Sequence, residues 1–113
     1  MKYIIALLLI FSVVAYAGDM KSLNIGDQAP SFSLKNYDGK EYDLKKLLKE
    51  NKYAVVMFIA TECPVSNAYN ERMVKLNDAY AKKGVAFVGV NANKEEDVKR
   101  ITEHSKDHGF KFP

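Results

Sequence analysis

The sequence predicts a small α/β domain in which an N-terminal β-hairpin precedes a βαβα core. Two continuous apolar runs, residues 53–60 and 85–91, have the composition of strands that are buried on both faces. Between them, residues 64–80 carry apolar side chains at three- and four-residue steps, the period of one helical face. Two strands joined by a helix form a right-handed unit with parallel strands. The 113 residues are enough for one such domain.

The first residues are predicted to form a secretory signal peptide. Lys2 precedes an apolar run, residues 3–11, and Ala15-Tyr16-Ala17 has the small-x-small pattern of a cleavage site. The run is shorter than the ~20 residues that a membrane span needs, and an uncleaved membrane anchor is the alternative. Cleavage leaves residues 18–113 as the domain. It predicts an exported, periplasmic or secreted protein without stable membrane insertion.

The charge of the chain is nearly balanced. Removing residues 1–17 takes away one lysine and no acid, so the net charge falls from +3 to +2. The remaining lysines alternate with acids, as in NKEEDVKR, and form no basic patch. This distribution excludes nucleic acid as an expected partner.

Residues 31–44 are predicted to form the β-hairpin. Apolar residues alternate with polar ones on both sides of Asp38-Gly39, which is a strong turn signal. The alternating residues are Phe32, Leu34, Tyr42 and Leu44. A short helix over residues 44–50 follows, with three leucines on one face.

The helix after the first apolar strand is predicted to begin at Pro64 and to end before Gly84. Proline suits the first helical turn because its missing N–H would have no partner there, and glycine suits the C-terminal cap. Five residues are predicted to face the core: Val65, Tyr69, Met73, Leu76 and Tyr80.

A second helix is predicted after the strand 85–91. Asn93 and Glu96 resemble a capping box, and Val98 and Ile101 mark the inner face of a helix that ends near Gly109. Two further residues, Phe110 and Phe112, resemble the start of a third core strand. The sequence ends at once after them, so we expect a fragment or a chain that is truncated at its C-terminus.

The one cysteine, Cys63, lies where the first apolar strand gives way to a helix. Reactive groups gather at the carboxyl ends of parallel strands, and a helix N-terminus favours the nucleophilic thiolate. Glu62 disfavours a thiolate or could instead accept its proton. With no second cysteine, the thiol is reactive, forms an intermolecular bond or fills space inertly.

Four segments, in order, resemble the redoxin branch of the thioredoxin-like superfamily, which includes the alkyl hydroperoxide reductase and thiol-specific antioxidant (peroxiredoxin) proteins and exported thiol-disulfide oxidoreductases. The segments are GDQAPSFSLKNYDGKEYDL, VVMFIATECP, GVAFVGVNAN and HGFKFP. The resemblance covers nearly all of residues 24–113. It implies a thioredoxin-like fold with an incomplete C-terminal half, because two further strands, a cis-proline loop and a final helix are missing.

Two departures from this family leave the reaction open. Exported oxidoreductases of the group usually carry C-x-x-C, whereas this chain has Ser66 at the second position, which excludes a dithiol cycle. Peroxiredoxins usually have threonine three residues before the cysteine. Here Ala60 holds that position, and Thr61 lies two residues before Cys63.

The resemblance implies three candidate catalytic residues: Cys63, Ser66 and Thr61. Ser66 could hydrogen-bond the Cys63 thiolate or could be a solvated helix residue. Thr61 could cap the helix or donate to a bound peroxide. Arg72 lies nine residues after Cys63, on the opposite helical face, and is expected to be solvated.

No metal site and no cofactor are expected. His104 and His108 are four residues apart on a predicted helix, a spacing that can hold a metal. No third ligand accompanies them in the sequence. The histidines are therefore interpreted as ordinary helix residues.

The sequence thus predicts an exported thiol-dependent oxidoreductase in which Cys63 reduces peroxides or exchanges disulfides. Because the chain has one cysteine, an external thiol or a thioredoxin-like reductase must complete the cycle. The alternative is a non-catalytic or truncated thioredoxin-fold module that only binds a partner.

Overall fold

The computed structural model describes residues 22–113, so the predicted signal peptide, residues 1–17, lies outside the described residues. The described part contains two two-stranded sheets, four α-helices and one 3₁₀ turn. In chain order the elements are β1 (Ser33–Lys35), β2 (Glu41–Asp43), α1 (Leu44–Glu50), β3 (Tyr53–Phe58), α2 (Pro64–Ala68), α3 (Asn70–Tyr80), the 3₁₀ turn (Ala81–Lys83), β4 (Val85–Val90) and α4 (Val98–Asp107).

The predicted hairpin and the short helix after it are both present. β1 and β2 are antiparallel, with Leu34 opposite Tyr42, and Gly39 turns between them at a φ of 82°. Only glycine adopts that φ without strain. Asp43 then caps α1, because its carboxylate accepts the N–H of Lys46 at 2.9 Å.

β3 and β4 pair in parallel, as the two apolar runs predict. The register runs from Tyr53 opposite Val85 to Phe58 opposite Val90. The core lies against this pair, where Met73 of α3 packs with Phe87 of β4 and with Phe112.

The predicted burial of the first strand on both faces is wrong. Tyr53 and Phe58 of β3 are 66% and 77% exposed, whereas Phe87 and Val88 of β4 are buried. Within the described residues β3 pairs only with β4. β4, in contrast, has β3 on one side and receives Pro113 on the other, where the N–H of Gly89 donates to the Pro113 carbonyl at 2.7 Å.

The predicted long helix is two helices, and most of its predicted inner face is wrong. The helix breaks at Tyr69, whose N–H donates to the Ser66 carbonyl three residues back, at 3.0 Å. After the break, α3 buries Asn70, Met73 and Asn77, a face turned away from the predicted one. Of the residues predicted to face the core only Met73 is buried; the exposed ones are Val65, Tyr69, Leu76 and Tyr80.

The predicted capping box of the last helix is also wrong. α4 begins at Val98, and its cap is Asp97, whose carboxylate accepts the N–H of Arg100 at 2.8 Å. Gly84 and Gly109 have φ values of 82° and 67°, as expected of residues that end helical segments.

Residues 110–113 reach the core without forming a strand. The rings of Phe110 and Phe112 stack with centroids 4.8 Å apart, and Phe112 is buried. Gly89 permits this approach, because a Cβ there would lie 2.8 Å from Cδ1 of Ile59 and 3.3 Å from the Phe112 ring. No helix among residues 22–113 is both long enough and apolar enough to cross a membrane.

Candidate active site around Cys63

Cys63 lies between the end of β3 and the start of α2, as predicted. The parallel ladder extends one residue beyond β3, because the N–H of Ile59 donates to the Val90 carbonyl at 2.9 Å. Cys63 is then the N-cap residue of α2, with extended backbone, and Pro64 is the first helical residue. The thiol is free and the residue is partly buried. Cys63 is therefore not sealed in the core at this edge of the sheet.

Two side chains of α2 fold back onto the loop that leads to Cys63. The hydroxyl oxygen of Ser66 accepts the N–H of Ala60 at 3.2 Å. The side-chain amide of Asn67 donates from Nδ2 to the Thr61 carbonyl at 2.9 Å. The first turn of the helix therefore fixes the chain that enters it.

Glu96, which precedes α4, bonds to the same loop. Its two carboxylate oxygens accept the Thr61 N–H at 3.1 and 2.9 Å. Asn93 donates to the carboxylate at 3.0 Å, and Asn91 also donates to it. Partial burial raises the pKa of Glu96, but the hydrogen bonds from Thr61, Asn91 and Asn93 outweigh it and lower the pKa to about 2. The carboxylate is therefore ionised at neutral pH.

His104 of α4 orients Asn67. The Nε2 atom of His104 lies 2.9 Å from the Asn67 side-chain oxygen, which also receives Nδ2 of the buried Asn70 at 3.2 Å. Burial lowers the pKa of His104, and the charge of His108 lowers it further, against the smaller opposing effects of Glu96 and Asp107. The imidazole is thus favoured in its neutral form, with the Nε2 proton donated to Asn67.

The charge of Glu62 is paired. Its Oε1 atom lies 2.6 Å from Nη1 of Arg100, and both side chains are well exposed to solvent. The sequence left open whether Glu62 disfavours a thiolate at Cys63 or accepts its proton. The ion pair offsets the carboxylate charge beside the sulfur, although its exposure to water keeps this effect small.

The other residues that the sequence singled out have definite places. The Thr61 hydroxyl is buried without a hydrogen-bond partner, so the prediction that it caps the helix is wrong. It lines a small cavity of about 60 Å³, together with Tyr37 and Asn91. Arg72 is exposed, with its guanidinium carbon 5.6 Å from the centroid of the Tyr69 ring.

The two histidines contact each other rather than a set of metal ligands. The rings of His104 and His108 are 4.4 Å apart. No group of three metal-ligating side chains occurs in residues 22–113. His104 instead bonds to Asn67, as described above.

Two residues that bond to the Cys63 loop, Asn67 and Glu96, were not predicted, nor was His104, which bonds to Asn67. A signal for Glu96 exists, because Asn91 and Glu96 follow the second parallel strand, and the carboxyl ends of parallel strands share one edge of a sheet. No comparable signal exists for His104, since its contact with Asn67 depends on how α4 packs against α2.

Comparison with known proteins supplies the family. The sequence matches the AhpC/TSA family over residues 25–113. The thiol-disulfide oxidoreductase ResA of Halalkalibacterium halodurans is 31% identical over 99 residues, which cover 87% of this chain and 53% of that protein. The chain thus spans about half the length of the curated relatives it matches.

Solved structures agree with the sequence match. A hypothetical protein from Sinorhizobium meliloti superposes with a TM-score of 0.75 at 30% identity, covering 82% of this chain and 53% of that one. A thiol:disulfide interchange protein of the thioredoxin family from Chlorobium tepidum superposes with a TM-score of 0.65 at 32% identity, covering 75% of this chain and 56% of that one. The chain therefore belongs to the AhpC/TSA family and has the thioredoxin-like fold of the redoxin proteins.

Proposed function

We propose that the protein is an exported thiol-disulfide oxidoreductase whose only nucleophile is Cys63. One observation carries this proposal: the single cysteine of the chain is only partly buried and caps the helix that follows β3. In a thioredoxin-like fold this edge of the sheet is where a nucleophile meets its substrate.

The reaction is thiol–disulfide exchange. The Cys63 thiolate attacks one sulfur of a disulfide, the S–S bond breaks, and the other sulfur leaves as a thiolate. Cys63 is then held in a mixed disulfide. Since the chain has no second cysteine, the thiolate of an external thiol or a thioredoxin-like reductase attacks this bond and releases Cys63. This attack leaves the substrate sulfur bonded to the attacking thiol, and a second thiolate, from the same reductase or from a second external thiol, then displaces the substrate sulfur. The net result is a reduced substrate and a disulfide between the two external thiols.

Disulfide exchange is favoured over peroxide reduction. The relatives cited above carry the names of thiol-disulfide oxidoreductases. The Arg72 guanidinium lies over the Tyr69 ring, and the Thr61 hydroxyl is buried rather than presented to solvent. Peroxide reduction, in which the sulfur becomes a sulfenic acid, is the competing reaction of the same residue.

Export is supported by residues 1–17, which have the basic start, the apolar run and the Ala-x-Ala end of a signal peptide. The expected result is a protein recovered outside the cytoplasm, with an N-terminus that begins after Ala17. Cell fractionation with N-terminal sequencing tests this, and a cytoplasmic protein that starts at Met1 would contradict it.

The rates at which Cys63 forms each product distinguish disulfide exchange from peroxide reduction. The full chain is mixed with oxidised glutathione or with hydrogen peroxide, and mass spectrometry follows the mixed disulfide or the sulfenic acid. We expect the glutathione adduct to form faster, and neither product to form in Cys63→Ser. Faster formation of the sulfenic acid would instead assign the protein to peroxide reduction.

The alternative is a binding module without turnover. The exposed side chains of Tyr53 and Phe58 on β3 favour it, because large exposed apolar residues often contact a partner. In that case a folded chain would show no reaction of Cys63 with either reagent. A partner captured equally well by the wild type and by Cys63→Ser would then identify binding as the function.

A further inference from the structure

We propose that Asn67 and Glu96 are positioning residues for Cys63 and that they act by holding the two polar groups of the Thr61 backbone. The proposal rests on the assignment of Cys63 as the nucleophile. Thr61 is separated from Cys63 by one residue, so an orientation fixed at Thr61 determines how the chain enters α2.

Both backbone groups of Thr61 are bonded to side chains. Its N–H donates to the Glu96 carboxylate, and its carbonyl accepts Nδ2 of Asn67 at 2.9 Å. Asn67 belongs to α2, whereas Glu96 precedes α4. The loop is therefore clamped between two separate parts of the fold. We call these two contacts the Thr61 clamp.

The Glu96 side of the clamp is charge-assisted and fixed in direction. Three N–H groups, from Thr61, Asn91 and Asn93, reach the carboxylate. Among residues 22–113 no lysine, arginine or histidine forms an ion pair with it. The charge of Glu96 is thus directed at backbone and amide donors, and hydrogen bonds to a charged acceptor are the strong ones.

The Asn67 side is fixed by the residues behind it. The side-chain oxygen of Asn67 receives donors from His104 and from Asn70, which is 2% exposed. With the oxygen so engaged, the NH₂ group has to face the Thr61 carbonyl. His104 therefore joins α4 to the clamp through the Asn67 amide.

Two isosteric variants test the proposal, because they change the local charge in opposite directions. Asn67→Asp adds a negative charge and places an oxygen against the Thr61 carbonyl, while Glu96→Gln removes a negative charge. If the residues acted only through their charge on Cys63, one variant would slow the reaction and the other would speed it. If they position the loop, both variants slow it.

The readout is the rate at which iodoacetamide alkylates Cys63 of the full chain, measured across pH and corrected for the folded fraction. We expect both variants to react about tenfold more slowly at neutral pH, as the loss of one hydrogen bond to the Thr61 backbone predicts. Two matched controls are Asn51→Asp, where a partly buried amide also donates to a backbone carbonyl, and Glu95→Gln beside Glu96. Both should overlay the wild-type profile. If Glu96→Gln fails to fold, Glu96→Asp keeps the charge, shortens the reach and should still react slowly.

Corrected profiles of Asn67→Asp and Glu96→Gln that overlay the wild type would overturn the proposal, because the residues would then serve stability alone. Changes of opposite sign would overturn it as well, in favour of a purely electrostatic role. Alkylation needs no disulfide substrate. A failure of disulfide exchange would therefore contradict the proposed function, whereas the alkylation rates would still test the roles of Asn67 and Glu96.

Discussion

Ser66 differs from the second cysteine of a C-x-x-C motif by a single atom, an oxygen in place of sulfur. Its hydroxyl oxygen takes the place of a second sulfur and accepts the N–H of Ala60 at 3.2 Å. The hydroxyl proton remains available, so the predicted hydrogen bond from Ser66 to a Cys63 thiolate stays a prediction. Without a second sulfur, release of a bound substrate depends on an external thiol.

Ser66→Cys should supply that missing thiol. Residues three apart on a helix are neighbours, so the new sulfur can attack the mixed disulfide at Cys63. We expect the glutathione adduct to disappear faster than in the wild type, measured by mass spectrometry after excess glutathione disulfide is removed. Ser66→Ala is the control, since it also removes the bond to Ala60, at a cost of about 1 kcal/mol, but adds no thiol. Equal adduct lifetimes in the two variants would contradict the prediction.

Arg100→Gln should slow the reaction of Cys63 by leaving the Glu62 carboxylate unpaired beside the sulfur. An unpaired negative charge disfavours the thiolate. The effect should shrink at high salt, because exposed charges are screened. Alkylation rates at low and high salt measure it, and the double variant Glu62→Gln/Arg100→Gln should recover the wild-type rate. Since the pair is exposed, we expect the free energy of unfolding to change by less than about 1 kcal/mol.

The position of Cys63 follows from the sequence because it depends on a local change of period. An apolar strand ends, a proline follows the cysteine, and helical spacing begins. The contacts of Glu96 with Thr61 and of His104 with Asn67 do not follow in this way. They are separated from Thr61 and Asn67 by 35 and 37 residues, so they depend on tertiary packing.

Gly89→Ala tests how closely the elements around β4 approach one another. The added methyl group would lie 2.8 Å from Cδ1 of Ile59 and 3.3 Å from the Phe112 ring. Overpacking of this kind costs roughly 1–3 kcal/mol. We expect Gly89→Ala to lower the free energy of unfolding by that amount, measured by urea denaturation of the full chain.

Ile59→Val supplies the matched control for this clash, because it removes the Cδ1 atom. Alone it should cost about 1 kcal/mol. In Gly89→Ala/Ile59→Val the loss should be smaller than the sum of the two single losses, since the contacting atom is gone. Strictly additive losses would show that the methyl group added by Gly89→Ala is accommodated elsewhere.

Elements that depend on short-range patterns were predicted well, and those that depend on tertiary contacts were not. The hairpin turn, α1 and the β3–β4 pairing follow from glycine positions and apolar periods. The face that α3 buries does not, because it is set by tertiary contacts such as that of the buried Asn70 with His104. Glu96 likewise does not cap α4, because its carboxylate accepts the N–H of Thr61.

For the molecule as a whole, two titratable groups link stability to the loop before Cys63. Glu96 and His104 both lie in the hydrogen-bond network around Thr61, and both have a lowered pKa. A group whose pKa is lower in the folded state takes up its proton first in the unfolded state. The unfolded chain therefore binds more protons as the pH falls, and stability decreases.

The protein should consequently lose stability in two acid steps. His104 contributes as the pH falls below 6.5 toward its lower folded pKa, and Glu96 contributes from 4.5 down to about 2. Urea unfolding of the full chain at a series of pH values measures both steps. His104→Gln should flatten the first step, and Glu96→Gln should flatten the second, while Glu95→Gln should keep both. A Glu96→Gln variant that loses stability below pH 4.5 as steeply as the Glu95→Gln control would show that the carboxylate is not held by the Thr61 clamp in solution.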